Sequence, residues 1–325
     1  MGYQIKILLL SFFASIIISL VIIPIIRRRK IGQNERNDGP KSHLKKQGTP
    51  TMGGIIMIIS LILITALLYF DYSKTEPEVA KNLLALSCAT IGFGLIGFID
   101  DFKKVVLQNT KGLKPAYKMF GLLIIAVAFT IFLLKFLNIG TDIYIPFAKN
   151  SITMPIWLYI PFTIIVMLAT TNAINLTDGI DGLSTSVTTI ILTCLTVIGI
   201  IFGVKEIVLF GVTLIGICLA FLLFNLNPAK IFMGDTGSLF LGGAVSVMAI
   251  YLKMPLLLLL IAIIPVLEAL SDIIQVLHYK RTGNRIFKMA PLHHHFELSG
   301  WNENKVVSVF SVITLIACLI GLVAI

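Results

Sequence analysis

Ten long apolar stretches dominate the sequence, and short polar or charged segments separate them. A helix that crosses a bilayer needs about 20 mostly apolar residues, whereas a helix of a soluble protein keeps a polar stripe along one face. Only 13% of the residues are charged, against roughly 25% in a soluble domain. The pattern therefore predicts an all-α polytopic membrane protein with about ten transmembrane helices, at 4–26, 52–70, 83–99, 119–138, 156–172, 183–202, 206–224, 237–252, 255–275 and 306–325.

The first apolar stretch is too long for a cleaved signal peptide, has no small-residue cleavage site and precedes nine more stretches. We therefore interpret it as a transmembrane helix. The sequence contains no internal repeat, no low-complexity tract and no linker between soluble domains. A single membrane domain is predicted over 1–325.

The distribution of Lys and Arg predicts the orientation. If the N-terminus is outside, five inner loops hold 19 of the 26 Lys and Arg residues. Loops rich in Lys and Arg stay in the cytoplasm, so both termini are expected to be extracytoplasmic. The five predicted cytoplasmic loops are 27–51, 100–118, 173–182, 225–236 and 276–305.

A net charge of +10 fits basic cytoplasmic loops and an anionic substrate. The basic runs lack the interleaved aromatic residues of a nucleic-acid module, so no nucleic-acid partner is expected. All four cysteines lie in apolar stretches without metal-ligand spacing, which is typical of small buried side chains.

Nearly all acids, amides and histidines suited to chemistry lie in the predicted inner loops. A transport pathway would more often place polar residues near the bilayer midplane. Polar residues at the ends of spans suit an enzyme that joins a water-soluble substrate to a lipid-borne one. The segments are SHLKKQGTPTMGG (42–54), FIDDFKKV (98–105), NAINLTDGIDGL (172–183), FNLNPAKIFMGDTGS (224–238) and MAPLHHHFELSGW (289–301).

The adjacent acids Asp100 and Asp101 end an apolar stretch. Neighbouring helix positions point about 100° apart, so the two carboxylates are expected to do different work. One would hold a divalent cation or act as a base, and the other would organise neighbours such as Lys103 or Lys104. Asp235 lies between two glycines at the start of a stretch, where it either caps a helix or lines a ligand pocket.

The glycines in NAINLTDGIDGL favour a loop whose backbone approaches a ligand closely. In the histidine run of residues 293–295, consecutive ligands rarely converge on one zinc ion, so contact with phosphate or sugar is the better interpretation. Glu268 and Asp272 follow Pro265 within the ninth stretch. They are either functional intramembrane acids or residues exposed by a helix broken at the proline.

Acids, basic residues and a divalent cation at a lipid surface suit phosphoryl transfer, in which a metal ion neutralises phosphate charge. Oxygen-rich ligands favour Mg²⁺, with Mn²⁺ as the alternative, over zinc.

With these motifs in order, the chain resembles the bacterial phospho-N-acetylmuramoyl-pentapeptide transferase family. GTPTMGG, FIDDFKK, NAINLTDGIDGL and NPAKIFMGDTGSL are also similar to the wider superfamily of polyprenyl-phosphate sugar-1-phosphate transferases, whereas APLHHHFELSGW looks specific to this family. The resemblance covers essentially the whole chain. It implies transfer of phospho-MurNAc-pentapeptide from UDP-MurNAc-pentapeptide to undecaprenyl phosphate, giving lipid I and UMP, with Mg²⁺, at a cleft on the cytoplasmic face of the bacterial membrane. It also implies a homodimer embedded in membrane lipid.

The resemblance implies a role for each matching position. Asp235 would bind Mg²⁺, Asp100 would deprotonate the lipid phosphate or attack in a two-step scheme, and Asp101 would support it. The uridine would contact Lys46, Gly179, Asp181, Asn225 and Phe232. Further polar positions of the cleft are Lys104, Lys111, Asn172, Asn175 and Asp178. The sugar–peptide side would contact His293, a catalytic candidate, with His294, His295 and Gln275. A broken ninth helix, whose groove would receive the prenyl chain, favours a structural role for Pro265 over a charge-relay role for Glu268.

Two rival functions are retained as alternatives. A donor such as UDP-N-acetylglucosamine would keep the chemistry, although APLHHHFE argues against it. A transporter or lipid flippase would need a polar path through the bilayer, and few midplane charges are found.

Overall fold

The computed structural model describes residues 2–28, 46, 48–107 and 112–325. In chain order the first helices and strands are α1 (Gly2–Arg28), α2 (Gly54–Tyr72), α3 (Pro77–Val105), α4 (Pro115–Lys135), β1 (Asp142–Ile145) and β2 (Asn150–Thr153). They are followed by α5 (Ile156–Thr177), α6 (Leu183–Ile201), α7 (Lys205–Asn225), α8 (Gly234–Tyr251), a 3₁₀ turn (Pro255–Leu257), α9 (Leu258–Ile261), α10 (Ile263–Thr282), α11 (Leu292–Glu297) and α12 (Glu303–Val323).

The all-α polytopic membrane fold is confirmed. Within the described residues, eight helices are long and apolar enough to cross a membrane, or nine when the bent pair formed by Pro255–Ile261 and Ile263–Thr282 counts as one span. The helices overlap all ten predicted apolar stretches. The protein is therefore a multi-pass membrane protein.

Helix α8 is the centre of the bundle. It packs against α3 and α5, and every residue from Thr236 to Tyr251 is buried. Glycines permit this packing, because a Cβ on Gly243 would lie 2.6 Å from the Phe93 ring and one on Gly242 would lie 2.6 Å from the Thr171 backbone. Neighbouring helices therefore fix the position of α8 from all sides.

The ninth predicted stretch is a broken helix, and the position of the break corrects the sequence prediction. The two parts meet at 83° at Ala262, which lies between the end of α9 and the start of α10, not at Pro265. Proline lacks an N–H and has a fixed φ, so the first turn of a helix accommodates it without losing a hydrogen bond. Pro265 therefore lies in the first turn of α10.

A small antiparallel hairpin follows α4, where the sequence indicated only an ordinary loop. Asp142 pairs with Thr153, and Ile145 pairs with Asn150. The Tyr144 N–H donates to the Lys253 carbonyl at 2.8 Å, which fixes the hairpin against the turn after α8. This contact lies at the opposite end of α8 from Asp235.

Candidate active site

Two acids and two lysines from three helices form one ion-paired group, here called the acid–lysine cluster (Asp100, Lys104, Lys118 and Asp235). The Lys104 ammonium lies 2.6 Å from Asp100 Oδ2 and 2.7 Å from Asp235 Oδ2. The Lys118 ammonium lies 3.0 Å from the same Asp235 oxygen. The end of α3 and the starts of α4 and α8 thus meet, and two ammonium groups lie between two carboxylates.

Neighbouring polar groups hold both carboxylates of this cluster in place. The amide of Asn175, on α5, donates to Asp235 Oδ1 at 2.9 Å and to the Ser238 hydroxyl at 2.7 Å. The Leu113 N–H donates to Asp100 Oδ1 at 2.6 Å. Asp100 is buried, whereas the Asp235 side chain is 18% exposed, so Asp235 is the more accessible of the two acids.

Asp101 has different partners from Asp100 and holds the start of α8. Its carboxylate accepts the Asp235 N–H at 3.1 Å, the Thr236 N–H at 2.8 Å and the Thr236 hydroxyl at 2.6 Å. The first N–H groups of a helix have no partner within the helix, and a carboxylate there is favoured by the helix dipole. Asp101 therefore caps α8, while the carboxylate of Asp235 points at lysines rather than at its own helix.

Two glycines allow the start of α8 to approach its neighbours this closely. A Cβ on Gly97 would lie 2.1 Å from the Asp235 carbonyl oxygen, and one on Gly54 would lie 2.1 Å from the Gly237 nitrogen. Side chains at these two positions would force α8 away from α3 and α2. The backbone of GTPTMGG is thus part of the site through its packing.

A second group, here called the Asp181 cluster (Lys46, Asp181, Asn227 and Glu303), lies at the ends of other helices. Lys46 Nζ lies 2.7 Å from Asp181 Oδ1 and 2.6 Å from Glu303 Oε2. Asn227 donates to Asp181 Oδ2 at 3.1 Å and to Glu303 Oε2 at 3.2 Å. Burial lowers the pKa of Lys46, but the hydrogen bonds to Asp181 and Glu303 outweigh it and the pKa is raised overall, so the lysine stays charged.

Asn225 and Phe232 shape the loop between α7 and α8. Asn225 is buried, accepts the Thr185 hydroxyl at 3.0 Å and donates to the Ile231 carbonyl at 3.0 Å. The Phe232 N–H donates to the Pro50 carbonyl at 2.8 Å. Asn225 is therefore occupied in holding the loop, whereas the partly exposed Phe232 ring remains accessible.

The turn after α5 brings Asp178 and Gly179 between these groups and the histidine segment. A Cβ on Gly179 would lie 2.0 Å from His293 Nε2, so the glycine is required by the position of that imidazole. Desolvation raises the pKa of Asp178 well above its usual value, and the negative charges of Asp235, Asp101 and Asp181 raise it further. A neutral carboxyl group here can donate a hydrogen bond.

The three histidines have three different environments. His293 is fully buried against Glu268, with 3.0 Å between His293 Nδ1 and Glu268 Oε2. His294 is partly exposed, lies 2.9 Å from Glu297 Oε2 through Nδ1, and has its ring centroid 4.1 Å from that of His293. His295 Nδ1 accepts the Lys288 N–H at 3.1 Å.

Other predicted site residues lie outside these groups. The Gln275 carbonyl oxygen accepts the N–H groups of Ile286 and Phe287, both at 3.0 Å, so Gln275 and His295 both hold the loop at 286–288. Asn172 donates to the Leu168 carbonyl of its own helix at 2.7 Å. Lys111 lies outside the described residues.

Sequence reasoning missed two residues of the site. Lys118 was one of five basic residues in loop 100–118, and nothing in the sequence distinguished it from the others. Glu303 is an acid in the first turn of α12, directly after the histidine segment, which was the available signal. Glu268 was noted, and a structural role for Pro265 was preferred to a charge-relay role for Glu268. The structure adds a contact between Glu268 Oε2 and His293 Nδ1, at 3.0 Å.

The acid–lysine cluster supplies the oxygen donors that a hard divalent cation prefers. Among the described residues, no three His, Cys, Asp or Glu side chains form a preformed metal cage. Lysine ammonium groups already lie between two of the carboxylates. The donor set therefore fits a cation shared with an anionic substrate, because such ions commonly bind through one or two carboxylates and substrate phosphates.

The chain is similar to known proteins over nearly its whole length. Residues 83–253 match the family model described as Glycosyl transferase family 4. A phospho-N-acetylmuramoyl-pentapeptide-transferase of Clostridium botulinum is 48% identical over 317 residues, which cover 98% of this chain and 95% of the relative. The protein of that name from Acetivibrio thermocellus is 50% identical over 318 residues, covering 97% and 93%. One from Clostridium perfringens is 48% identical over 314 residues, covering 97% and 96%.

A multi-pass helical bundle with acids and lysines gathered at its helix ends, matching a glycosyl transferase model over 83–253, defines a membrane-bound glycosyl transferase. Nearly full-length identity of 48–50% narrows this class. The chain belongs to the phospho-N-acetylmuramoyl-pentapeptide-transferase family, and it is an enzyme.

Proposed function

We propose that this protein transfers phospho-MurNAc-pentapeptide from UDP-MurNAc-pentapeptide to undecaprenyl phosphate, releasing UMP and forming lipid I, in the bacterial cytoplasmic membrane. In this reaction a lipid phosphate oxygen bonds to the sugar-side phosphorus of the donor. The bond between that phosphorus and the oxygen that bridges the two phosphorus atoms of the donor breaks. UMP leaves with the bridging oxygen and the electron pair. The observation that carries the proposal is the acid–lysine cluster, which can hold several phosphate groups at once.

The lysines of the cluster suit two anionic substrates. Lys104 and Lys118 can turn from carboxylate to phosphate oxygens without crossing the site, because ammonium groups donate up to three hydrogen bonds. Asp235 would be the main ligand of Mg²⁺, or of Mn²⁺ in its place. When bound, that ion neutralises diphosphate charge. Asp100 would take the proton from the lipid phosphate, and Asp101 would keep Asp235 in position by capping α8.

The Asp181 cluster is the proposed site for the uridine end of the donor. Lys46 and Asp181 offer a cation and an acceptor, and Asn227 offers an amide. The partly exposed Phe232 ring offers a face for the base. His293 and His294 lie beyond Gly179 on the other side, where the sugar and peptide would extend.

The apolar exposed side of α10 is the proposed path of the prenyl chain. Leu270, Ile273 and Leu277 are exposed at 44%, 53% and 53%, beside the 83° bend. A polyprenyl tail on this side would lie in the bilayer while its phosphate reaches the cluster. We also propose a homodimer surrounded by membrane lipid, with the cluster facing the cytoplasm and both termini outside.

The test is UMP release by purified protein supplied with undecaprenyl phosphate and Mg²⁺. UDP-MurNAc-pentapeptide and UDP-N-acetylglucosamine are compared as donors. The proposal expects UMP only with the pentapeptide donor and none after EDTA treatment. Release with the simple sugar would reassign the donor, and folded protein that releases none with either would overturn the proposal.

A further inference from the structure

Glu268 and His293 form a buried pair that the proposed transfer does not by itself explain. Both side chains are at most 1% exposed. Glu268 Oε1 accepts the backbone N–H of His293 at 3.2 Å, while Oε2 lies 3.0 Å from the ring nitrogen Nδ1. A buried carboxylate needs partners of this kind, and here both partners belong to one residue.

The other ring nitrogen, Nε2, is also buried, and it has no hydrogen-bond partner among the described residues. It lies against Gly179, where a Cβ would be only 2.0 Å away. Gly179 belongs to the turn between Asp178 and the Asp181 cluster. Nε2 therefore faces the turn that joins Asp178 to the Asp181 cluster, next to the proposed uridine and sugar sites. Buried polar atoms without a partner are rare and call for an explanation.

We propose that Glu268 is a positioning residue that keeps the proton of His293 on Nδ1, so that Nε2 presents a lone pair to an O–H or N–H group on the sugar–peptide part of the donor. This inference rests on the proposed function. It explains why the carboxylate contacts the backbone and the ring of the same residue. The backbone bond fixes the position of the carboxylate, and the Nδ1 bond fixes the tautomer of the ring, as second partners of histidine commonly do.

Glu268→Gln reverses this arrangement with almost no change in shape. The backbone N–H of His293 requires an acceptor, so the amide oxygen takes the place of Oε1. The amide NH₂ then faces Nδ1 and donates to it. The ring proton moves to Nε2. When the substrate binds, the Nε2–H group then faces the O–H or N–H group of the substrate, and two donors cannot form a hydrogen bond with each other. An unmade buried hydrogen bond is costly.

The experiment combines a spectroscopic and a kinetic measurement on the full-length protein in detergent. Selective ¹⁵N labelling of its five histidines reports which ring nitrogen carries the proton. The His293 signals are assigned by their loss in His293→Asn. We expect an Nδ1–H tautomer in the wild type and an Nε2–H tautomer in Glu268→Gln. The KM for UDP-MurNAc-pentapeptide should rise about tenfold or more.

Inhibition by UMP, which lacks the sugar and peptide, should change less than about twofold, because the Asp181 cluster is untouched. In the His293→Asn background, Glu268→Gln should add nothing to the KM. Asp272→Asn makes the same chemical change one turn along α10 and should leave the tautomer and the KM as in the wild type. Glu297→Gln should alter the signals of His294 and not those of His293.

An unchanged tautomer in Glu268→Gln would overturn the proposal, and so would a reversed tautomer with wild-type KM. If Glu268→Gln does not fold, which loss of the UMP-induced rise in Tm would reveal, the wild-type tautomer decides, and Nε2–H there overturns the proposal. Failure of the wild type to use the pentapeptide donor would count against the proposed function, while the ¹⁵N tautomer would still test the positioning role.

Discussion

At the centre of this site the acidic residues outnumber the cations that contact them. The acids therefore differ in the charges that surround them. Asp100 and Asp235 share two lysines, and Asp181 has Lys46. Asp178 is surrounded by the charges of other acids, and its raised pKa follows from desolvation and their repulsion. The pKa of one carboxyl group at the centre of the site is thus raised by its surroundings.

Asp178→Asn tests this residue. A carboxyl group whose pKa is raised in the folded protein stabilises it fully below the unfolded pKa of 3.8 and loses that contribution as the pH rises through the raised value. We therefore expect the Tm of the wild type, relative to Asp178→Asn, to fall as the pH rises above about 4 and to level off once the pH passes the raised pKa. Thermal unfolding in detergent with EDTA, across this range, measures the difference.

Asp142→Asn is a control for which the opposite pH dependence of stability is expected. Hydrogen bonds from Thr153 and Lys253 lower the pKa of Asp142, so its contribution is present above pH 3.8 and is lost as the pH falls through the lowered value. A pH-independent difference between the wild type and Asp178→Asn would show that Asp178 is not held neutral.

At this scale the sequence predicted residue types well and partners poorly. Asp100, Asp235 and Asn175 were identified, and the structure brings them together. Lys118 was missed because nothing in the sequence distinguishes it from the other basic residues of loop 100–118. Glu303 was missed because it reaches the site from a helix distant in sequence, and a pattern of spacing carries no information about such contacts. Gln275 and His295 were predicted to contact substrate, but their described contacts are to the loop at 286–288.

At the scale of helices, the start of α8 is the element on which the site depends. Asp101 caps it, Gly97 and Gly54 let it approach α3 and α2, and Asp235 follows as its second residue. Because α8 is buried from Thr236 to Tyr251, a shift of its start would disturb the packing of the helices around it. Contacts to the backbone at the start of α8 thus fix where Asp235 lies.

Asp101→Asn should weaken this cap. The amide replaces one acceptor oxygen with a donor that faces the N–H groups of Asp235 or Thr236. We expect the free energy of unfolding to fall by about 1–3 kcal/mol and kcat to fall about 100-fold, because Asp235 is displaced. Denaturant unfolding and UMP release measure the two effects.

Thr236→Val removes only the hydroxyl bond to Asp101 and should have a smaller effect on both quantities. Full kcat in Asp101→Asn would show that the cap does not position Asp235.

Helices were predictable because apolar length is a local property, and the ten predicted stretches all overlap helices. The break at Ala262 and the hairpin at 142–153 were not predictable. Helices α9 and α10, on either side of the break, both pack against α12, and contacts with residues 253 and 324 hold the hairpin. These contacts all join residues that are distant in sequence.

For the whole molecule, the two ends of the bundle differ in chemistry. One end carries the acid–lysine cluster, the Asp181 cluster and the buried Glu268–His293 pair. The other carries isolated pairs such as Lys253 with Asp142 at 2.9 Å and Lys205 with Glu76. Among the described residues, Lys46, Lys104 and Lys118 come from loops rich in Lys and Arg and lie at the first end, which is the basis for our proposed orientation.

Single cysteines test that orientation. The native cysteines do not lie in the loops, since Cys194, Cys218 and Cys318 are buried and Cys88 lies within α3. In intact cells a membrane-impermeant maleimide should label Lys149→Cys. It should label Arg285→Cys only after permeabilisation. The reverse pattern would invert the proposed topology.

The most direct test of the account is Mg²⁺-dependent UMP release by Asp235→Asn, compared with wild type and Asp142→Asn. Asp235 is the accessible acid of the cluster, whereas Asp142 forms its ion pair at the other end of the bundle. The account predicts that Asp235→Asn folds, with a Tm near that of the wild type, and loses at least about 1,000-fold in kcat, while Asp142→Asn keeps wild-type turnover. Near wild-type turnover by folded Asp235→Asn would contradict the assignment of the acid–lysine cluster as the centre of transfer.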